Sequence, residues 1–180
     1  MVYIILGKGF EEIEALAPCD ILRRGGVEVR LAGIGGKRIT GGHGITVEAD
    51  ITVEEICRRG LEMIVLPGGL GGVQSIRDSE AALQAVQNAW QDGKFVAAIC
   101  AAPTVLAELG ITDGKTAVCY PGMEQEMGHA NMTDLPAVRD GNLICGKAAG
   151  TALEFGLELL RALRGDEAAE KVQSGIHFDA

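Results

Sequence analysis

Short apolar runs alternate along the chain with amphipathic stretches. The apolar runs at 2–6, 27–32, 63–66 and 95–99 have the length and composition of buried strands. Between them, the apolar residues of 11–24, 79–90 and 103–109 recur every three or four positions, which is typical of helices packed on one face. This alternation predicts an α/β fold with a mostly parallel sheet, helices on both of its faces, and ligands bound beyond the carboxyl ends of the strands.

Two hairpins interrupt this alternation. The glycines of 33–52, together with alternating Ile39, Ile45 and Val47, predict a small hairpin excursion. Asp140-Gly141 predicts a tight turn between two further short strands. A helix is expected from Gly150 to Leu163, followed by a short one from Asp166. Without repeats, linkers or low-complexity segments, the sequence predicts a single domain over 1–180.

Composition restricts the partners of the protein. The chain has 180 residues, 47% of them apolar, and no apolar run reaches the roughly 20 residues of a membrane-spanning helix. Its beginning has no basic region of a signal peptide, so we expect a cytoplasmic location and no membrane partner. The net charge of -9 and the absence of basic clusters argue against nucleic acid.

The cysteines and histidines do not form a metal-binding motif in the sequence. The five cysteines are widely spaced and never arranged as Cys-x-x-Cys, which favours free thiols over disulfides or structural zinc. The three histidines, His43, His129 and His177, lack the spacing of a zinc motif. We therefore expect no metal.

The most specific motif surrounds Cys100. A predicted buried strand leads into Ala98-Ile99-Cys100-Ala101-Ala102, whose small flanking residues permit the sharp strand-to-helix turn of a nucleophile elbow. Pro103 suits the first turn of the following helix. The positive end of that helix predicts a lowered thiol pKa, as in reactive cysteines. The alternative is a buried structural cysteine.

A glycine-rich loop follows the strand that ends at Leu66. Glycine allows the backbone to approach a ligand closely, so the amides of Gly69 and Ala101 are candidate donors to a developing negative charge. A plain strand-to-helix turn remains the alternative. A phosphate-binding P-loop is excluded because no Gly-Lys-Ser/Thr follows.

Glu14 lies in the first predicted helix, after Gly7-Lys8-Gly9. That segment lacks the third glycine of a dinucleotide-binding motif and carries two acids at the helix start, so we expect no nicotinamide cofactor. The apolar spacing predicts that Ile13, Leu16, Ala17 and Ile21 face inward, with Glu14 at the border of that face. A partly desolvated carboxyl group there would have a raised pKa and could carry protons. A half-exposed helix carboxylate is the alternative.

Four motifs in order and in register resemble the DJ-1/ThiJ/PfpI superfamily, in particular its DJ-1 and ThiJ branch. They are Gly-Phe-Glu-Glu-Ile-Glu at 9–14, Leu-Pro-Gly-Gly at 66–69, Ala-Ile-Cys-Ala-Ala-Pro at 98–103 and Gly-Thr-Ala-Leu-Glu-Phe at 150–155. The resemblance implies a flavodoxin-like three-layer sandwich and a homodimer. It also implies that Cys100 is the reactive cysteine, that Glu14 is a protonated partner, and that Gly69 and Ala101 supply backbone donors.

The chain departs from this superfamily at positions near the expected site. Tyr120 stands where many members carry a histidine, so a phenol replaces the imidazole. His43 stands where close relatives carry an arginine that pairs with the one matching Arg24, which would weaken anion binding there or make it depend on pH. Ala101 stands where the peptidase branch has a histidine, so protease activity is not expected.

The resemblance leaves two functions open. In the enzymatic hypothesis, Cys100 adds to small reactive carbonyl compounds such as methylglyoxal, and Glu14 moves the proton, as in cofactor-independent glyoxalases or deglycases. In the alternative, Cys100 is oxidised and the protein acts as a redox sensor or stress chaperone without turnover. Both hypotheses use the same pair of side chains.

Overall fold

The computed structural model describes residues 1–178, so the last two residues of the predicted domain lie outside the described part. The described residues form eleven strands: β1 Val2–Leu6, β2 Val29–Gly33, β3 Arg38–Thr40, β4 Thr46–Glu48, β5 Ile51–Thr52, β6 Met63–Leu66, β7 Phe95–Ile99, β8 Thr116–Ala117, β9 Asn131–Met132, β10 Ala137–Asp140 and β11 Leu143–Gly146. The α-helices are α1 Glu12–Arg24, α2 Leu70–Arg77, α3 Glu80–Gln91, α4 Pro103–Glu108, α5 Ala152–Arg164 and α6 Asp166–Gly175.

Seven strands form the central sheet in the order β10-β11-β7-β6-β1-β2-β5. All neighbouring pairs are parallel except β10 and β11, whose antiparallel hairpin turns at Gly141. The predicted mostly parallel sheet and the hairpin near Asp140 are thus confirmed. The excursion after β2 contains the expected hairpin, in which Ile39 pairs with Val47 across β3 and β4.

Two apolar cores cover the faces of the sheet and produce three layers. Helices α2, α3 and α4 bury Val73, Val86 and Val105 against one face. Helices α1, α5 and α6 cover the opposite face of the sheet. On that face α1 and α5 pack closely because Gly156 has no side chain. A Cβ atom at this position would lie 2.7 Å from Ile21 Cδ1. This is the flavodoxin-like sandwich expected from the sequence.

The predicted inward face of α1 is wrong for Ile13 and Leu16 and correct for Ile21, which is buried. Ile13 is 55% exposed and Leu16 is 36% exposed, whereas Glu14 is fully buried. The buried face contains Ala15, Pro18, Cys19, Ile21 and Leu22 instead.

Helix α2 and the short strands β5, β8 and β9 were not among the predicted elements. Within residues 1–178, no helix is both long enough and apolar enough to cross a lipid bilayer.

Candidate active site

The order of the central strands brings three distant loops together. Strand β1 lies between β2 and β6, so the chain connection reverses direction across the sheet at this point. Parallel α/β sheets bind ligands where the direction reverses, at the carboxyl ends of the strands. Glu14 lies in the first turn of α1, which follows β1, whereas Gly69 and Cys100 lie in the turns that follow β6 and β7.

Cys100 lies on a sharp turn between β7 and α4. Its φ angle is +66°, and among residues 1–178 the only other non-glycine residue with a positive φ is His177. Hydrogen bonds hold both backbone groups of Cys100, because its N–H donates to Gly146 O at 3.0 Å and its carbonyl accepts from Tyr120 N at 2.7 Å. A left-handed conformation at a non-glycine residue is unfavourable and is found at functional sites. The geometry is that of a nucleophile elbow.

Glu14 extends from α1 beneath the glycine-rich loop to the base of this turn. Its Oε2 accepts a hydrogen bond of 2.8 Å from Gly68 N, and its Oε1 is buried without a hydrogen-bond partner. A Cβ atom at position 68 would lie 2.5 Å from Glu14 Oε2 and 2.8 Å from Cys100 Cβ. Glycine at this position therefore allows the carboxyl group and the cysteine to lie side by side.

Burial raises the pKa of Glu14 to about 7, although its hydrogen bonds act in the opposite direction. Burial, followed by the negative charge of Glu14, raises the pKa of Cys100 to about 12. The sequence-based expectation of a lowered thiol pKa is therefore wrong for Cys100, because burial outweighs the donors at its sulfur. At lower pH Glu14 is neutral, so its charge no longer opposes the thiolate and its O–H group becomes a donor.

The backbone donors predicted from the sequence lie at the sulfur. The amides of Ala101 and Gly69 both act to lower the pKa of Cys100. Gly69 has a φ angle of +82°, and a Cβ atom there would lie 2.6 Å from both Glu11 N and Gly9 O. A side chain therefore cannot be placed at position 69 without moving the backbone. The same two amides can stabilise negative charge on an oxygen bound next to the sulfur.

A cavity of about 250 Å³ opens above the sulfur. Besides Cys100, Gly69 and Ala101, its lining contains Glu11, Leu70, Tyr120 and Met123. Tyr120 is thus beside the cysteine, as the resemblance to the superfamily implied, and its side chain is half exposed. Glu11, Leu70 and Met123 were not predicted, since nothing in their local sequence distinguishes them from ordinary surface residues.

His43 lies on the β3–β4 hairpin and contacts the start of α1. Its Nδ1 is 2.9 Å from Glu12 Oε2, and its backbone N–H donates to Glu12 Oε1 at 2.9 Å. The hydrogen bond with Glu12, followed by the charge of Glu11, raises the pKa of His43. His43 is therefore joined to the site through Glu11, which lines the cavity, and it does not itself line the cavity.

Arg24 lies at the other end of α1. Ten residues separate it from Glu14, which corresponds to about 15 Å along a helix. Its guanidinium group forms an ion pair with Asp20, and the residue lines a separate groove with Lys171 on α6. Within one chain, the structure therefore does not bring Arg24 to Cys100 or to His43.

Comparisons with known proteins agree with this architecture. The model of the DJ-1/PfpI family matches residues 1–162. DJ-1beta from Drosophila melanogaster is 35% identical, with 96% of this chain and 94% of that protein covered. The crystal structure of that protein superposes with a TM-score of 0.94, at 34% identity, over 99% of this chain and 98% of the other.

Two further relatives bear on the chemistry. A protein from Pyrococcus abyssi that is named a deglycase is 32% identical, with 91% of this chain and 99% of that protein covered. The structure of an oxidized DJ-1 from Toxoplasma gondii has a TM-score of 0.95 and 29% identity, covering 99% of this chain and 98% of the other. Together with the elbow at Cys100, the matched family model and these relatives show that the chain belongs to the DJ-1/PfpI family.

Proposed function

We propose that the protein is a cofactor-independent enzyme that converts small reactive carbonyl compounds, with Cys100 as nucleophile and Glu14 as general acid and base. The observation that carries the proposal is the buried Glu14 carboxyl group, whose pKa of about 7 matches a proton carrier at neutral pH. The relative named a deglycase supports the same assignment.

The cavity supports a small substrate. Its volume of about 250 Å³ lies below the roughly 300–1,000 Å³ of pockets for drug-sized ligands. The lining offers apolar contacts from Leu70 and Met123 and a phenol from Tyr120, which can donate a hydrogen bond to a carbonyl oxygen. A two- or three-carbon aldehyde fits this combination of size and polarity.

The reaction can be written with methylglyoxal. The Cys100 sulfur forms a C–S bond to the aldehyde carbon while its proton passes to the Glu14 carboxylate, and the electron pair of the C=O bond moves to the oxygen, which then receives that proton. Glu14 then removes the hydrogen of that carbon as a proton and delivers it to the neighbouring carbon, while the hydroxyl proton passes to the ketone oxygen, so the ketone is reduced as the aldehyde carbon is oxidised. Water cleaves the resulting thioester, releasing lactate and the thiol. In this scheme the amides of Gly69 and Ala101 stabilise the oxyanion.

The test is lactate formation from methylglyoxal by the wild type and by Cys100→Ser, Glu14→Gln and Glu14→Asp. We expect no conversion by Cys100→Ser and a loss of roughly 10²-fold or more in Glu14→Gln, because the amide cannot carry the proton. Glu14→Gln should still be alkylated at Cys100, and Cys57→Ser serves as a matched control because Cys57 is an exposed thiol outside the cavity. Wild-type rates in Glu14→Gln would remove Glu14 from the mechanism.

Deglycase activity is separated from glyoxalase activity by the choice of substrate. Preformed methylglyoxal adducts of N-acetylarginine or N-acetylcysteine are incubated with the protein while a scavenger removes all free aldehyde. Release of the unmodified amino acid above the scavenger-only rate indicates a deglycase. If release occurs only at the scavenger-only rate, the enzyme acts on the free aldehyde.

A redox sensor without turnover is the second candidate function. The buried Glu14 Oε1 has no hydrogen-bond partner in the thiol state. Once protonated, it can donate to an oxygen added to the Cys100 sulfur, which would satisfy this otherwise unpaired group. If the wild type converts no carbonyl compound but forms a stable sulfinic acid at Cys100, this second function replaces the first.

We also propose a homodimer. Ile13, Leu16 and Ile45 are large exposed apolar residues, and Ile45 N donates to Glu12 Oε1, which places the hairpin beside α1. An apolar surface of this kind on a soluble protein is typical of an interface. Light scattering should give twice the chain mass of 18.8 kDa, and a monomer at micromolar concentration would contradict the proposal.

A further inference from the structure

Three potential metal ligands converge where the β3–β4 hairpin meets α1. His43 Nδ1 is 2.9 Å from Glu12 Oε2 and 3.5 Å from Glu11 Oε2. All three atoms lie within 4.8 Å of one another. From this geometry we infer that Glu11, Glu12 and His43 form a binding site for a divalent transition metal of the zinc class.

The separations match the distances between ligands around one such ion. Zinc lies about 2.0–2.2 Å from nitrogen and oxygen ligands, so two ligands that subtend 90–110° at the ion are roughly 2.9–3.5 Å apart. Both distances from His43 Nδ1 fall in this range. Two of the three separations therefore match, and the third, between the Glu11 and Glu12 oxygens, is at most 4.8 Å, so the two carboxylates move closer together when the ion binds.

The surroundings of Glu12 hold its carboxylate in the orientation that binding requires. Its Oε1 accepts hydrogen bonds from the backbone amides of His43 and Ile45, at 2.9 and 3.3 Å. Gly41 allows this approach, because a Cβ atom there would collide with the same carboxylate. Oε2 is thereby directed at His43 Nδ1. Outer contacts that orient a ligand in this way are typical of built metal sites.

The donor set determines the class of ion. One imidazole nitrogen and two carboxylate oxygens suit zinc and its neighbours in the first transition series, whereas calcium requires six to eight oxygen ligands. Three protein ligands leave the fourth position for water. Because Glu11 also lines the cavity above Cys100, the ion would lie at the rim of that cavity. The inference does not depend on carbonyl chemistry at Cys100.

Zinc binding is measured by calorimetry on metal-stripped protein without an affinity tag. Because thiols also bind zinc, the measurements use a background in which Cys57 and Cys100 are replaced by serine. The variants in this background are His43→Ala, Glu11→Gln and the matched control His129→Ala. His43 and His129 are both exposed, and His43→Ala removes the side-chain contact with Glu12 but keeps the backbone hydrogen bond that holds the hairpin to the same carboxylate. Glu12 is left intact because its buried carboxylate anchors the hairpin.

We expect one zinc ion per chain in the background and in His129→Ala. His43→Ala and Glu11→Gln should each weaken binding by at least about tenfold, since changes to outer contacts alone cost roughly 10- to 100-fold. Zinc should raise the unfolding temperature of the background and of His129→Ala, with little change in His43→Ala. The histidine NMR signals of His43, and not those of His129, should shift on zinc addition.

Two results would overturn the inference. One is the absence of stoichiometric zinc binding in the background protein. The other is zinc affinity that is unchanged by His43→Ala, or reduced to the same extent by His129→Ala. Retained folding of each variant, measured by circular dichroism, excludes loss of structure as the reason for lost binding.

Discussion

Replacing Glu14 by Gln should make the protein more stable at neutral pH and should change how its stability depends on pH. The carboxyl group has a pKa of about 7 in the folded chain against an ordinary value of 4.5. At about 1.4 kcal/mol for each pH unit, this difference corresponds to about 3 kcal/mol. Gln has nearly the same shape, remains neutral at every pH and therefore lacks this contribution.

The sign follows from proton binding in the two states. Below pH 4.5 the carboxyl group is protonated in both the folded and the unfolded chain. Its contribution to the free energy of unfolding therefore does not change with pH in that range. Between 4.5 and about 7 the unfolded chain has lost the proton while the folded chain keeps it, so the free energy of unfolding falls as pH rises. Above about pH 7 the full loss of about 3 kcal/mol is reached.

Urea unfolding of the wild type and of Glu14→Gln is compared from pH 5.5 to 8, with thiols kept reduced and protein concentration held fixed. The lower limit avoids the isoelectric point of 4.8, where solubility is lowest. Over this range the stability of Glu14→Gln relative to the wild type should increase by about 2 kcal/mol, the part of the total that falls above pH 5.5. Any constant difference between carboxyl and amide cancels in this comparison.

Glu170→Gln is the control, because Glu170 is an exposed carboxylate on α6. The difference in unfolding free energy between Glu170→Gln and the wild type should not change with pH over the same range. If the difference in unfolding free energy between Glu14→Gln and the wild type changes by less than about 0.5 kcal/mol from pH 5.5 to 8, Glu14 ionises normally in the folded chain. The proton-carrier mechanism would then lose its basis.

Three further predictions concern other parts of the site. Although burial raises the pKa of Cys100, mild peroxide should add oxygen there first, because the amides of Gly69 and Ala101 stabilise negative charge at its sulfur and the cavity admits the oxidant; mass spectrometry that finds another thiol oxidised first would contradict its assignment as the reactive cysteine. Gly69→Ala should lower the free energy of unfolding by at least about 2 kcal/mol, because a left-handed residue with a side chain costs about 1–2 kcal/mol and its Cβ would collide with the backbone. In the control Gly150→Ala the new Cβ meets no atom within 4 Å, so the loss should be far smaller. In the metal-free protein, NMR titration should give His43 a pKa above 6.5. The ion pair with Glu12 then stabilises the fold at low pH, and this stabilisation is lost as pH rises through the raised pKa of the folded chain. A pKa of 6.5 or below would show that the contact does not form.

The sequence was most informative about the sheet and the three loops at its edge. Apolar runs predict buried strands, and parallel strands place the residues that follow them at one edge. Cys100, Glu14 and Gly69 could therefore be assigned to one region before their contacts were known. The short strands β5, β8 and β9 lack any such pattern, because two residues are too few to show a period.

The burial of α1 could not be predicted in the same way. Periodicity identifies an apolar stripe on a helix but not the surface that covers it. Ile13 and Leu16 continue the stripe and are exposed in the single chain, while the charged Glu12 and Glu14 are buried. A carboxylate is buried only where specific donors or a raised pKa compensate, and the donors of Glu12 come from a hairpin about 30 residues further along the chain.

The backbone at Cys100 has a consequence for the design of variants. A φ angle of +66° suits glycine and is unfavourable for cysteine and alanine, so the backbone at this position is strained by any such side chain. Cysteine is thus placed where the chain itself prefers another residue. An inactive protein made with Cys100→Gly should resist denaturant better than one made with Cys100→Ala.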